Sequence, residues 1–279
     1  MTTQRPAIEN LQSQRVAARG ELVAALVDGR TRVSRLYQEG AAKMRLPQQA
    51  GPSLEAVLIN TAGGLTGGDR LSWEVEARTG TSVTVTTQAC ERAYRSAGGH
   101  AELRSRIAVR DGATLAWLPQ ETILYDRSAL QRSLEIDLAP DARTLIVEPV
   151  ILGRRAYGET VQLAHFRDRW RVRVAGRLVH AEDFALGPSV ERRIAREVVT
   201  GGALAFATIL LVGRDAEAHA EPLRTIVGDA GGVSHWHVGG TGKLLARLVA
   251  QDAYALRRRL VPALELLNGQ APLPKLWSL

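Results

Sequence analysis

Apolar residues recur at every second position through most of the chain. In LSWEVEA (71–77), Leu71, Trp73, Val75 and Ala77 share one face while Ser72, Glu74 and Glu76 share the other, the period of a half-buried strand. TSVTVTTQA (81–89) is rich in β-branched residues, and LRSRIAVR (103–110) alternates again before Asp111-Gly112, a strong turn signal. Further strands are expected at 134–138, 144–147, 170–174, 177–180 and 204–212. Pro140-Asp141, Gly153, Gly176, Gly187-Pro188 and Gly213 punctuate them. This regular spacing predicts a mainly β fold of stacked or layered strands, β-helix-like, with a few helices near the C-terminus. No fixed-period repeat is evident.

Toward the C-terminus the period changes. From Thr241 to Leu260, Leu244, Leu245, Leu248, Val249, Leu256 and Leu260 fall at helical spacing, which predicts a helical segment over about 241–268. Pro262 is expected to bend or end that helix, and Gly269 to stop a last turn. The tail QAPLPKLWSL is an apolar strip that must dock, on this chain or on a partner. Residues 1–20 are expected to form a flexible extension, and 21–279 a single β-rich domain.

Charge adds a second function class. The net charge is +7 and the pI about 10.1, which invites a nucleic-acid or acidic-surface reading. Only Lys43, Lys243 and Lys275 are lysines, however. The arginines are spread along the strands, as in RWRVRVAGR (169–177), with one compact knot at 257–259. That pattern reads as a solvated strand face, and guanidinium groups also suit carboxylates of an acidic partner. The single Cys90 excludes an intrachain disulfide. No secretory signal or membrane-length apolar run is seen, so the cytoplasm is the expected location.

Candidate chemistry is sparse. NTAGGLTGGD (60–69) is dense in glycine, but no lysine follows it and the next residues alternate as a strand. A tight loop between strands is therefore favoured over a phosphate cradle. HVGGTGKLL (237–245) puts Gly242-Lys243 at the expected helix start, yet Leu244 stands where a magnesium-binding Ser/Thr belongs. SHWHV (234–238), if extended, sets His235 and His237 on one face and Trp236 on the other. A surface pair is the plainer reading, and weak transient metal binding the alternative. Cys90 reads as an inert thiol. Asp69, Glu121, Glu148 and Glu159 stand in glycine- or proline-flanked contexts as turn-capping or paired acids. No nucleophile–base constellation emerges, which tilts toward a binding or scaffold protein.

Four segments together resemble the urease accessory protein UreD (UreH) family: NTAGGLTGGD (60–69), TTQACERAYRS (86–96), WLPQETILYDRS (117–128) and EPVILGRRAYGE (148–159). Their order and spacing match, as does the ending LPKLW (273–277). The matching residues are Gly63, Gly64, Thr66, Gly67, Gly68, Asp69, Gln88, Tyr94, Arg95, Pro119, Gln120, Gly153, Arg154, Gly158 and Glu159. CERAY and Tyr157 depart from the family pattern.

The resemblance implies a non-catalytic scaffold that binds the urease apoprotein and joins UreF and the GTPase UreG for nickel insertion. It implies GTP hydrolysis in UreG, no tightly bound cofactor, no membrane and no nucleic acid. It also implies nickel in transit through an internal passage. Asp69, Glu148 and Glu159 are the expected residues of that route, with His235 and His237 behind them. The C-terminal helix and tail are expected to dock toward UreF.

Overall fold

The computed structural model describes residues 15–48, 51–269 and 272–278. Strands β1 (Ala17–Val27) and β2 (Arg30–Glu39) form an antiparallel hairpin, followed by the short β3 (Ala42–Arg45). The chain then coils. β4 (Leu54–Asn60), β6 (Ser82–Thr87), β9 (Thr114–Leu118) and β12 (Arg143–Leu152) stack in parallel in one sheet. Between them the chain crosses to β5 (Arg70–Ala77), β8 (Ala101–Val109), β11 (Ser128–Leu138) and β13 (Ala164–Val174), parallel in the facing sheet. Parallel neighbours need a crossover, and here each crossover is the opposite sheet rather than a helix. Two short strands, β7 (Glu91–Ala93) and β10 (Thr122–Leu124), add a narrow third face that pairs onto the end of β12.

β14 (Arg177–Leu186) closes one sheet at an antiparallel edge. A short helix α1 (Val190–Ile194) follows. β15 (Ala205–Val212), helix α2 (Ala220–Val227), β16 (Gly231–Val238), β17 (Thr241–Ala250) and helix α3 (Ala253–Leu267) then complete the chain. The sheets run in the orders β14-β13-β11-β8-β5-β1-β2 and β16-β17-β15-β12-β9-β6-β4-β3.

The alternation is now explained. Leu71, Trp73 and Val75 point inward against Val83, Val85 and Leu115 of the facing sheet. Arg167 and Arg169 of β13 point outward while Phe166 and Trp170 are buried. On that outer face arginines alternate with acids: Arg19 and Arg106 flank Glu74, and Arg106 and Arg169 flank Glu135. On this face the arginines are thus interleaved with carboxylates. A second apolar core lies on the other side of the β15–β17 sheet, where Ile209, Leu211, Leu244 and Leu248 meet Leu256, Leu260 and Leu264 of α3.

Three expectations fail. Thr241–Ala250 is strand β17, not helix; its leucines are compatible with both periods, and pairing with β15 and β16 on both edges decides the outcome. The helix starts only at Ala253, where the Asp252 carboxylate accepts the Ala255 amide at 2.8 Å. It then passes through Pro262 to Leu267, because its apolar face stays buried on both sides of the proline. At the other end, β1 opens at Ala17, paired with Arg70, so residues 17–20 belong to the sheet. The remainder of the expected extension, up to residue 14, lies outside the described residues.

Candidate functional site

The four matching segments prove to be successive corners of the coil. Leu65 bridges Ala93, Ala93 pairs with Leu124, and Leu124 pairs with Leu152, so one residue from each segment stands in a single buried column. The amides carry the stack: Leu65 N–H donates to Arg92 O at 2.7 Å, Tyr125 N–H to Ala93 O at 3.1 Å and Gly153 N–H to Leu124 O at 2.8 Å. The glycines let the corners approach each other. A Cβ at Gly67 would stand 2.1 Å from Ser96 Oγ and 2.2 Å from Gly98 O, and Gly64 has φ +153° beside the Tyr94 ring.

Two of the expected route acids hold these corners. Asp69 is buried, and its carboxylate accepts Val16 N–H at 2.9 Å and Thr66 N–H at 2.7 Å. It therefore caps the first corner and anchors β1 to it. Glu159 accepts Asp126 N–H at 3.2 Å and Arg154 N–H at 3.1 Å, and pairs with Arg154 Nε at 2.8 Å. Burial pushes its carboxyl up, but Arg154 and the amides outweigh that and hold it below the ordinary range. Arg154 also lies over the Tyr125 ring at 4.4 Å, and Tyr125 meets Tyr94 edge-on. Gln88 N–H donates to Leu58 O, Thr66 Oγ1 to Arg95 O and Gln120 N–H to Thr87 Oγ1, completing the corners.

The third acid, Glu148, sits between the sheets. Arg132 of β11 donates Nε to Asp168 Oδ1 at 3.0 Å and Nη2 to Oδ2 at 2.6 Å, a bidentate fork across registered neighbours in β11 and β13. Its remaining Nη1 reaches Thr122 Oγ1 at 3.1 Å and Glu148 Oε2 across the interior. Trp117 Nε1 donates to Glu148 Oε1 at 2.9 Å. All three charged groups are buried. One guanidinium faces two carboxylates, so the cluster is one cation short of full pairing when both carboxylates are ionised. Burial, together with neighbouring Asp168, raises the Glu148 pKa despite Arg132 and Trp117. The cluster lines one end of a 530 Å³ cavity that runs past Phe184, Phe206 and Arg247.

Next to this cavity His180 is buried beside Lys243. Burial, then the Lys243 charge, lower its pKa to about 4. Lys243 donates to Val179 O and lies 4.5 Å from the Trp236 ring centre. Its place in a strand removes the helix start that a phosphate reading of Gly242-Lys243 requires.

Cys90 is half-buried, and its thiol is pushed up to about 12 by burial and by Glu121, whose Oε2 lies 3.4 Å away. That pairing keeps the thiol in its protonated form at neutral pH. Glu121 is itself locked to Arg257 of α3, with Nε–Oε1 at 2.6 Å and Nη2–Oε2 at 2.9 Å. Through Trp277, whose Nε1 donates to Leu118 O at 3.1 Å, the C-terminal tail docks on its own chain. On the corner side Glu91 accepts from Asn60 Nδ2 at 3.2 Å, and burial raises its pKa to about 7.

The structure does not bring Asp69, Glu148 and Glu159 together: two belong to the corners and one to the interior. His235 and His237 lie elsewhere, on β16, side by side as the extended reading requires. Arg132 and Asp168 escape sequence reasoning, yet they leave a signal. Each occupies an inward position of an alternating strand whose other inward residues are almost all apolar. Glu91 and Glu217 leave no such trace.

The fold and these contacts define a class: a coiled β body whose stacked corners are tied by backbone bonds, around an interior acidic cluster open to a cavity. The UreD urease accessory protein family model matches residues 16–278. A urease accessory protein UreD 1 of Brucella ovis is 54% identical over 272 residues, covering 98% of this chain and 97% of the relative. UreD of Mesorhizobium japonicum is 54% identical over 267 residues, covering 96% and 95%. The chain belongs to the UreD family of urease accessory proteins.

Proposed function

We propose that this chain serves urease maturation as a scaffold. It binds the urease apoprotein, recruits UreF and the GTPase UreG, and lets nickel travel between its two sheets on the way to the urease active site. Hydrolysis of GTP belongs to UreG in this reading. The observation that carries it is the Arg132–Glu148–Asp168 cluster on the 530 Å³ cavity. Glu148 and Asp168 offer a divalent cation oxygen donors that it must share with Arg132, and Arg193, Arg196 and Arg247 on the same cavity keep the site from becoming a closed anionic cage. Such a site binds weakly and exchanges, as a cargo ion needs. Of the three expected route acids, Glu148 is assigned to the route. Asp69 and Glu159 are assigned to the corners that shape it.

The test is urease activation with purified partners. Glu148→Gln retains the shape and an acceptor for Trp117 or Arg132 but removes the charge. It is expected to co-purify with urease, UreF and UreG as wild type does, while the nickel content of the activated urease falls. Wild-type nickel loading by this variant overturns the conduit role. Failure of wild-type chain to co-purify with the partners overturns the scaffold role.

A further inference from the structure

A second set of metal-ligating groups stands apart from the interior. Glu217, on the short turn between β15 and α2, meets His235 and His237 of β16. One ligand atom from each lies within 4.8 Å of the others. Among the described residues no other group of three such side chains is found. The imidazoles are neighbours because they sit two apart on a strand, with ring centres 5.0 Å apart and planes near perpendicular. His235 Nε2 is buried without a hydrogen-bond partner, which is costly for an imidazole nitrogen unless something else occupies it. Opposite His237 in the register is Gly242. A Cβ there would stand 2.9 Å from Gly213 O, so the glycine lets the strand pass that carbonyl, and the His237 ring lies in ordinary contact range at 3.5 Å.

Sheet geometry separates this group from the cavity. Trp236 points to the other face, against Lys243, which reaches Val179 and His180. His235 and His237 therefore project from the opposite face of this edge strand, the face on which Val233 packs against the helix-side core, with His235 half-buried and His237 exposed. We infer that Glu217, His235 and His237 form a surface site for one divalent first-row transition ion. Two imidazoles and one carboxylate suit nickel, zinc or copper and not calcium or magnesium, which take oxygen ligands. With about 2.1 Å metal–ligand bonds, the three atoms close by small side-chain rotations. Three protein ligands leave at least one coordination position for water or for a donor from elsewhere. An ion here also pins the turn before α2 to the edge strand. The inference goes beyond the conduit reading and does not depend on it.

Equilibrium dialysis of the full chain against nickel, and separately zinc, tests it, with copper(II) spin resonance reporting imidazole nitrogens. Wild type and Glu148→Gln are expected to hold the outer ion alike. The double variant His235→Gln, His237→Gln should weaken it at least about tenfold and lose the nitrogen splitting. Glu217→Gln, on an exposed turn, should weaken it by a smaller factor and keeps the test open if the histidine variant unfolds. Absence of a bound ion in wild type, or equal affinity in the folded variants, overturns the site. Loss of binding in Glu148→Gln alone would instead put the ion in the interior, and overturns it too.

Discussion

The parallel coil and the antiparallel C-terminal layer of this chain are built on different physics. The coil holds together at its corners. Glycines permit close approach, buried Asp69 caps one turn, and amide ladders join rung to rung. The C-terminal layer has few such devices; leucines of β15, β17 and α3 pack on one another, and Trp277 seals the end. The coil accordingly tolerates a polar interior, because its shape is set by backbone bonds at the rim. The C-terminal layer, whose interior between sheet and helix is apolar, offers no such rim of corner bonds around a buried charge cluster.

Two substitutions of large effect probe this contrast. Arg132→Met leaves Asp168 and Glu148 buried without their cation and is expected to cost about 3–5 kcal/mol in denaturant unfolding at neutral pH. Trp277→Ala opens a cavity of comparable cost, about 3–5 kcal/mol. The two should part in acid. Protonation relieves the orphaned carboxylates, so the Arg132→Met deficit shrinks as pH falls, while the Trp277→Ala deficit does not. Equal pH profiles would break the comparison.

His180, at the junction of the two regions, gives the next effect. Its folded pKa of about 4 lies below the ordinary imidazole value of 6.5, so the unfolded chain takes up the proton first. Its contribution is intact above pH 6.5 and is lost as pH falls toward 4, by on the order of 2–3 kcal/mol. A His180→Phe variant should flatten that part of the pH–stability curve.

Asp69→Ala should cost about 1–3 kcal/mol by leaving two amides without an acceptor, and Asp69→Asn less. Smallest is the outer face of the coil. Glu102→Gln, which removes the carboxylate beside Arg104, should change stability by less than about 1 kcal/mol, and less still in high salt.

Much of the coil was legible because alternation and corner chemistry are local. A strand with one buried face writes its period into residues two apart, and glycine marks backbone that no other residue tolerates. The repeat itself stayed hidden, since the corners are nearly evenly spaced but share a position rather than a sequence. Leu65, Ala93, Leu124 and Leu152 show this: nothing in their neighbourhoods announces that they stack.

The sequence by itself determined the β class, the solvent-facing arginines, the four identifying segments and the facing pair His235 and His237. Tertiary structure alone decided that Thr241–Ala250 is a strand, because leucines at ambiguous spacing follow the partners available on either edge. It alone separated Asp69 and Glu159, bound to corner amides, from Glu148 in the interior. It alone joined Glu148 to Arg132 and Asp168, and Glu217 to the two histidines. Those groupings depend on which residues long-range pairing brings within a few ångströms, and no local pattern encodes that distance.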